Sequence, residues 1–114
     1  MLHIRTSLLC EFRSPAGLLQ AIEVCPGQTS FGVLCNALTQ MPGVEFPNHT
    51  AQAWFSRPAR FTYKGRLYEV SIPFDNIRIA PVEVCDEGVF ELEEVLEYVR
   101  HNVLRARVSR YTVR

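Results

Sequence analysis

The chain has 114 residues, 47% hydrophobic and 21% charged, enough for one domain spanning residues 1–114 that buries well over half of its unfolded surface without a disulfide scaffold. That composition excludes disordered and fibrous classes, and charged or polar residues interrupt every apolar run before signal-peptide or transmembrane length, which sets the expectation of a soluble, cytoplasmic protein with no membrane contact. Twelve basic and twelve acidic side chains cancel, yet seven carboxylates crowd Glu83 to Glu97 and five arginines crowd Arg100 to Arg114, a polarity suited to surfaces that meet partners.

Leu2, Ile4, Leu8, Cys10 and Phe12 share one parity, with His3, Arg5, Ser7 and Glu11 on the other, the period-2 pattern of a half-buried strand in which Leu9 is the exception. Ser14, Pro15, Ala16 and Gly17 suit a type I turn, and also a helix cap followed by a first helical residue. Residues 18–24 accordingly fit a second strand or a short helix, and the hairpin is the reading adopted. After Pro26 and Gly27, Thr29 is the expected N-cap of a helix over about 29–41, whose Phe31, Leu34, Cys35 and Leu38 recur at i, i+3, i+4, i+7. Pro42 and Gly43 stop it, and residues 42–50 read as the longest irregular connection.

Phe61 to Ile72 is the clearest local element. Lys64-Gly65 supplies a two-residue hairpin turn that sets Tyr63 opposite Arg66, Phe61 opposite Tyr68 and Arg60 opposite Glu69. Pro73 ends that strand, and Ile77 to Val82 completes a three-strand meander. Beyond the N-cap expected at Asp86, Val89, Leu92, Val95, Leu96, Val99 and Val103 form an apolar stripe on a helix over about 87–105, with carboxylates toward its N-terminal half and arginines past its C-terminal half, complementing the macrodipole. Arg107 to Arg114 fits a terminal strand, a helical extension or a frayed arm. The expected fold is α+β: an antiparallel sheet of about five strands with two helices on one face, in the order β-β-α-β-β-β-α.

No motif specifies chemistry. The cysteines at 10, 25, 35 and 85 lack any C-x-x-C pair, and with His3, His49 and His101 they lack metal-ligand spacing, so buried reduced thiols are expected and no metal or cofactor is implied. Cys25 or Cys35 with His49 would supply the residue types of a thiol-dependent enzyme, although no local signature surrounds either cysteine. Aromatic residues interleaved with Arg57, Arg60, Lys64, Arg66 and Arg78 have the makings of a single-stranded nucleic-acid-binding module, set against a net charge of zero and an alternation that sends Phe61, Tyr68 and Val70 into a core. The reading carried forward is a small non-enzymatic binding or regulatory protein acting through protein–protein contacts, with another protein or with itself as a homodimer. Trp54, Arg57, Arg60, Tyr63, Arg66 and Arg78 are its expected anchors, since Arg, Trp and Tyr dominate hot spots.

Overall fold

Two meanders are joined into one sheet. The computed structural model describes residues 2–5, 8–25, 27–47 and 58–104, with backbone alone over 2–5. Its elements are β1 (Leu2–Arg5), β2 (Leu9–Arg13), β3 (Leu19–Val24), α1 (Phe31–Thr39), β4 (Val44–Glu45), β5 (Ala59–Tyr63), β6 (Arg66–Ser71), β7 (Ile77–Pro81) and α2 (Leu92–Val99), which runs on into a π-helical turn at Arg100–Leu104. The seven strands lie in the order β1-β2-β3-β7-β6-β5-β4, every pair antiparallel. The class is α+β, as the sequence implies. Among the described residues no helix is long and apolar enough to cross a membrane.

The hairpin at 61–72 has the expected register, with Tyr63 opposite Arg66, Phe61 opposite Tyr68 and Arg60 opposite Glu69. The Phe61 and Tyr68 rings stack at 5.2 Å and 19°, an arrangement worth about 0.5–1.5 kcal/mol beyond the area buried. Residues 19–24 form the strand of the adopted hairpin, and the turn before them is closed by the Gly17 amide donating to the Ser14 carbonyl at 2.8 Å.

Four boundaries differ from the sequence expectation, each for a local or tertiary reason. The single strand expected over residues 2–12 is two: the chain reverses between Arg5 and Leu9, so that Leu2 pairs with Arg13 and Arg5 with Cys10. The parity is inverted as well. Leu9, opposite Val24, and Glu11, opposite Ile22, lie on the core side, while Cys10 and Phe12 lie on the other. Val44–Glu45, inside the stretch read as irregular, pairs with Tyr63 and Thr62 and raises the strand count further. The first helix is capped by Ser30, not Thr29; the Ser30 hydroxyl accepts from the Val33 amide at 3.1 Å. The second helix begins at Leu92, preceded by Glu91 with no side-chain cap bond, because residues 82–91 remain an irregular connection bonded to the sheet.

Both helices cover one face. Phe31, Leu34, Cys35 and Leu38 of α1 and Leu92, Val95, Leu96 and Val99 of α2 are buried against Ile22, Val24, Phe61, Tyr68, Val70 and Ile79 of the strands. Each such side chain contributes about 1.5–3 kcal/mol relative to exposure. Tyr98 of α2 donates its hydroxyl to the Ala37 carbonyl of α1 at 2.8 Å. Glu11 is also on this face, 4% exposed. Arg13 donates to it from Nε at 2.9 Å, Arg100 pairs with its second oxygen, and Arg13 also grips Glu93 of α2. A buried carboxylate is tolerable only when paired this fully, and the pairing fastens β2 to the helix layer.

The connection from β7 to α2 is fixed by a close approach. Gly88 has φ +98, and a Cβ there would meet Leu18 Cβ, carbonyl carbon and oxygen at 2.6 to 2.7 Å; Gly17, at φ +92, has nothing among the described residues within 4 Å of the same position. Gly17→Ala is expected to cost about 1–2 kcal/mol from backbone conformation alone, and Gly88→Ala about 1–3 kcal/mol more from overlap. Urea unfolding of the two variants checks this, and equal losses would mean that Leu18 does not constrain the connection.

Candidate functional site

The six anchor residues expected from the sequence do not form one patch. Trp54 and Arg57 lie outside the described residues, as does His49. Tyr63 and Arg66 point to the helix side at the hairpin tip. There the Tyr63 hydroxyl donates to Glu94 Oε1 at 2.9 Å, Lys64 Nζ donates to Glu94 Oε2 at 3.1 Å, and Arg66 Nε stands 4.0 Å from Glu91. Arg60 and Arg78 lie on the opposite, uncovered face. Arg60 pairs with Glu69 at 3.1 Å; Arg78 pairs with Glu23 at 2.6 Å and stacks over the Phe12 ring at 5.4 Å.

Charge and burial at the hairpin tip shift several protons. The bonds from Lys64 and then Tyr63 hold the Glu94 carboxyl below its ordinary range, and Glu94 in turn holds the Lys64 ammonium up. Burial, with the bond to Glu94 second, raises the Tyr63 phenol. Tyr68, fully buried, has no hydrogen-bond partner for its hydroxyl among the described residues, and burial pushes that phenol up to about 12.

The uncovered face carries a groove that sequence reasoning missed. It has a volume of about 400 Å³, and its walls include Glu69, Ser71, Arg78 and Ala80 from the strands, with Val84 and Asp86 from the connection to α2. Gln20 reaches it because the β2–β3 register skips one residue between Arg13–Leu19 and Phe12–Ala21, a bulge that turns Gln20 outward with Ala21. Although irregular, the connection is well held. Gln20 Nε2 donates to the Asp86 carbonyl at 2.7 Å, Cys85 Sγ donates to the Gly88 carbonyl at 3.0 Å, and the Val89 amide donates to the Leu19 carbonyl at 2.7 Å. Val84 stands 89% exposed on this wall.

Ion pairing decides which of the described charges stay free. Arg13, Arg60, Lys64, Arg66, Arg78 and Arg100, which are all the basic side chains described apart from His101, each have a carboxylate within 4.0 Å. Their partners use Glu11, Glu23, Glu69, Glu91, Glu93, Glu94 and Glu97. Glu45, Asp75, Glu83, Asp86 and Glu87 are exposed and have no ion-pair partner among the described residues. Three of these five belong to the groove-wall connection. The sequence signal was the acidic block itself, which the expected helix over 87–105 accounted for as a complement to the macrodipole.

Nothing among the described residues converges as a catalytic or metal centre. Cys25 is 8% exposed and Cys35 fully buried, His101 pairs with Glu97 at 3.2 Å, and no group of three His, Cys, Asp or Glu side chains among the described residues could hold a metal ion. No family model, curated protein or solved structure matches the chain, so the reading of the site stands on its own geometry.

The Tyr68 phenol supplies a pH test of the core. Its folded pKa of about 12 exceeds the unfolded value of about 10, so its contribution to stability is complete below pH ~10 and is lost as the pH rises from there through about 12. Phenolate absorbance should show a component ionising only near the upper limit, absent in Tyr68→Phe. Simultaneous ionisation of all tyrosines around the ordinary value would contradict the burial of this hydroxyl.

Proposed function

We propose that the protein is a small, non-enzymatic binding or regulatory protein that acts through protein–protein contacts on the uncovered face of its sheet. The observation that carries this reading is one-sided coverage. Two helices bury one face, while the other presents a preformed groove, and antiparallel sheets leave a face uncovered to meet either water or a partner. Arg60 and Arg78 stand on that face with side chains 54% and 38% exposed, each already paired with a carboxylate, so as anchors they offer their stems and flat guanidinium faces and not free charge. Val84, 89% exposed, lines the groove together with Arg78 and supplies apolar area for a contact. Tyr63, 6% exposed, supports the hairpin from within.

The nucleic-acid alternative needs open aromatic faces and free cations. Phe61, Tyr63 and Tyr68 are buried, the exposed rings of Phe74 and Phe90 stand in connections outside the hairpin, and the described arginines already face carboxylates, so this alternative draws less support than the protein-contact reading. The thiol-enzyme alternative draws least, since burial keeps a cysteine inert.

The test uses the purified full chain as bait in native extract, alongside its sedimentation mass. Ser71→Arg, which places a bulky charge in the groove, is expected to reduce capture or self-association at least tenfold, whereas Val33→Arg on the exposed side of α1 leaves it unchanged. A monomeric bait that captures nothing, or capture indifferent to Ser71→Arg, would overturn the reading.

A further inference from the structure

We infer that the groove takes an extended, positively charged segment of a partner protein, one that alternates arginine or lysine with apolar residues; this rests on the protein-contact reading above and names the partner's chemistry. Three observations carry it. First, the unspent charge beside the groove is of one sign: Asp86 lines it, Glu83 and Glu87 flank it in the same exposed connection, and none of the three has an ion-pair partner among the described residues. The other charges at the groove are neutralised internally, Glu69 by Arg60 at 3.1 Å and Arg78 by Glu23 at 2.6 Å. An incoming cation therefore meets net negative potential, and complementary charge of this kind selects partners and speeds encounter.

Second, the groove is amphipathic in a way that suits an aliphatic stem bearing a cationic head. Pro81, Val82 and Val84 line it together with the polar Ser71 and Asp86, and Val84 is 89% exposed. Long basic side chains bury their methylenes on such surfaces and keep the charge at the polar end. The volume of about 400 Å³ lies at the small end of ligand sites, room for a few side chains of one segment and not for a globular surface.

Third, the acidic wall is preorganised. The Gln20 bond to the Asp86 carbonyl, the Cys85 bond to the Gly88 carbonyl and the Val89 bond to Leu19 hold it before any partner arrives, which lowers the entropy that binding must overcome. Glycine at 88, close against Leu18, lets the wall sit this near the sheet. Acidic residues on a loose tail would attract cations without shaping them; here Asp86 is part of a groove wall, with Glu83 and Glu87 close to it in the chain.

The experiment uses the full chain and two fluorescent decapeptides, one alternating arginine with valine and one alternating glutamate with valine, read by fluorescence polarisation at low and physiological salt. The arginine peptide is expected to bind saturably and more weakly as salt rises. The triple variant Glu83→Gln, Asp86→Asn, Glu87→Gln should weaken it at least tenfold, and Ser71→Arg likewise, while Glu97→Gln on the far side of α2 leaves it unchanged. Lack of saturable binding, equal binding of the glutamate peptide, or indifference to either groove variant would overturn the inference. If the peptide fails while capture of a partner remains sensitive to Ser71→Arg, the chemistry named here is wrong and the protein-contact reading stands. Self-association abolished by Ser71→Arg would assign the groove to a second copy and overturn this inference in the same way.

Discussion

The antiparallel pairing of β3 with β7, Ile22 opposite Ile79 and Val24 opposite Ile77, is the constraint on which the rest depends. Each meander is local, and either alone would be a narrow sheet with little core. Joined, they make a surface wide enough for two helices, but only if both connections bring their helices to the same side. From β3 the chain therefore passes through α1 before reaching β4 at the far edge. From β7 it passes through residues 82–91 before α2, tied down at Val89 to Leu19. The groove on the uncovered face follows from that second requirement, since the connection must skirt β3 and β7 to bring α2 over the core.

Electrostatics follow the same geometry. Glu11 is buried on the helix side and needs Arg13 and Arg100 to be tolerated there. Glu93, Glu94 and Glu91 at the start of α2 draw in Arg13, Lys64 and Arg66. Cations are thus consumed where helix meets sheet, and the carboxylates left over gather where the chain is neither helix nor strand. A net charge of zero conceals this division: the described basic groups act within the fold, and the free acids face outward.

The sequence made the fold legible wherever structure is local. Lys64-Gly65 with its flanking alternation specified a hairpin down to the residue pairs, because turn chemistry and cross-strand packing both act within a few residues. Phe31, Leu34, Cys35 and Leu38 marked α1 in the same way. Glu11 defeated the alternation rule because what makes its burial tolerable includes Arg100, 89 residues away. The start of α2 was misplaced because Gly88 is fixed by Leu18, a contact that no window of sequence contains. The candidate site was barely legible. Arg60 and Arg78 were identified, but the groove that Arg78 shares with Asp86 draws on β3, β6, β7 and an irregular connection, and only the fold brings those together.

The central claim is that contact with a partner falls on the uncovered face, against the acidic wall, and not on the helices. Backbone amide NMR shifts of the full chain, followed through titration with the arginine–valine decapeptide, test it most directly. The account predicts that perturbations concentrate in residues 82–88 and along β6 and β7, with α1 unmoved. Shifts confined to α1 and the exposed side of α2, with residues 82–88 silent, would contradict it.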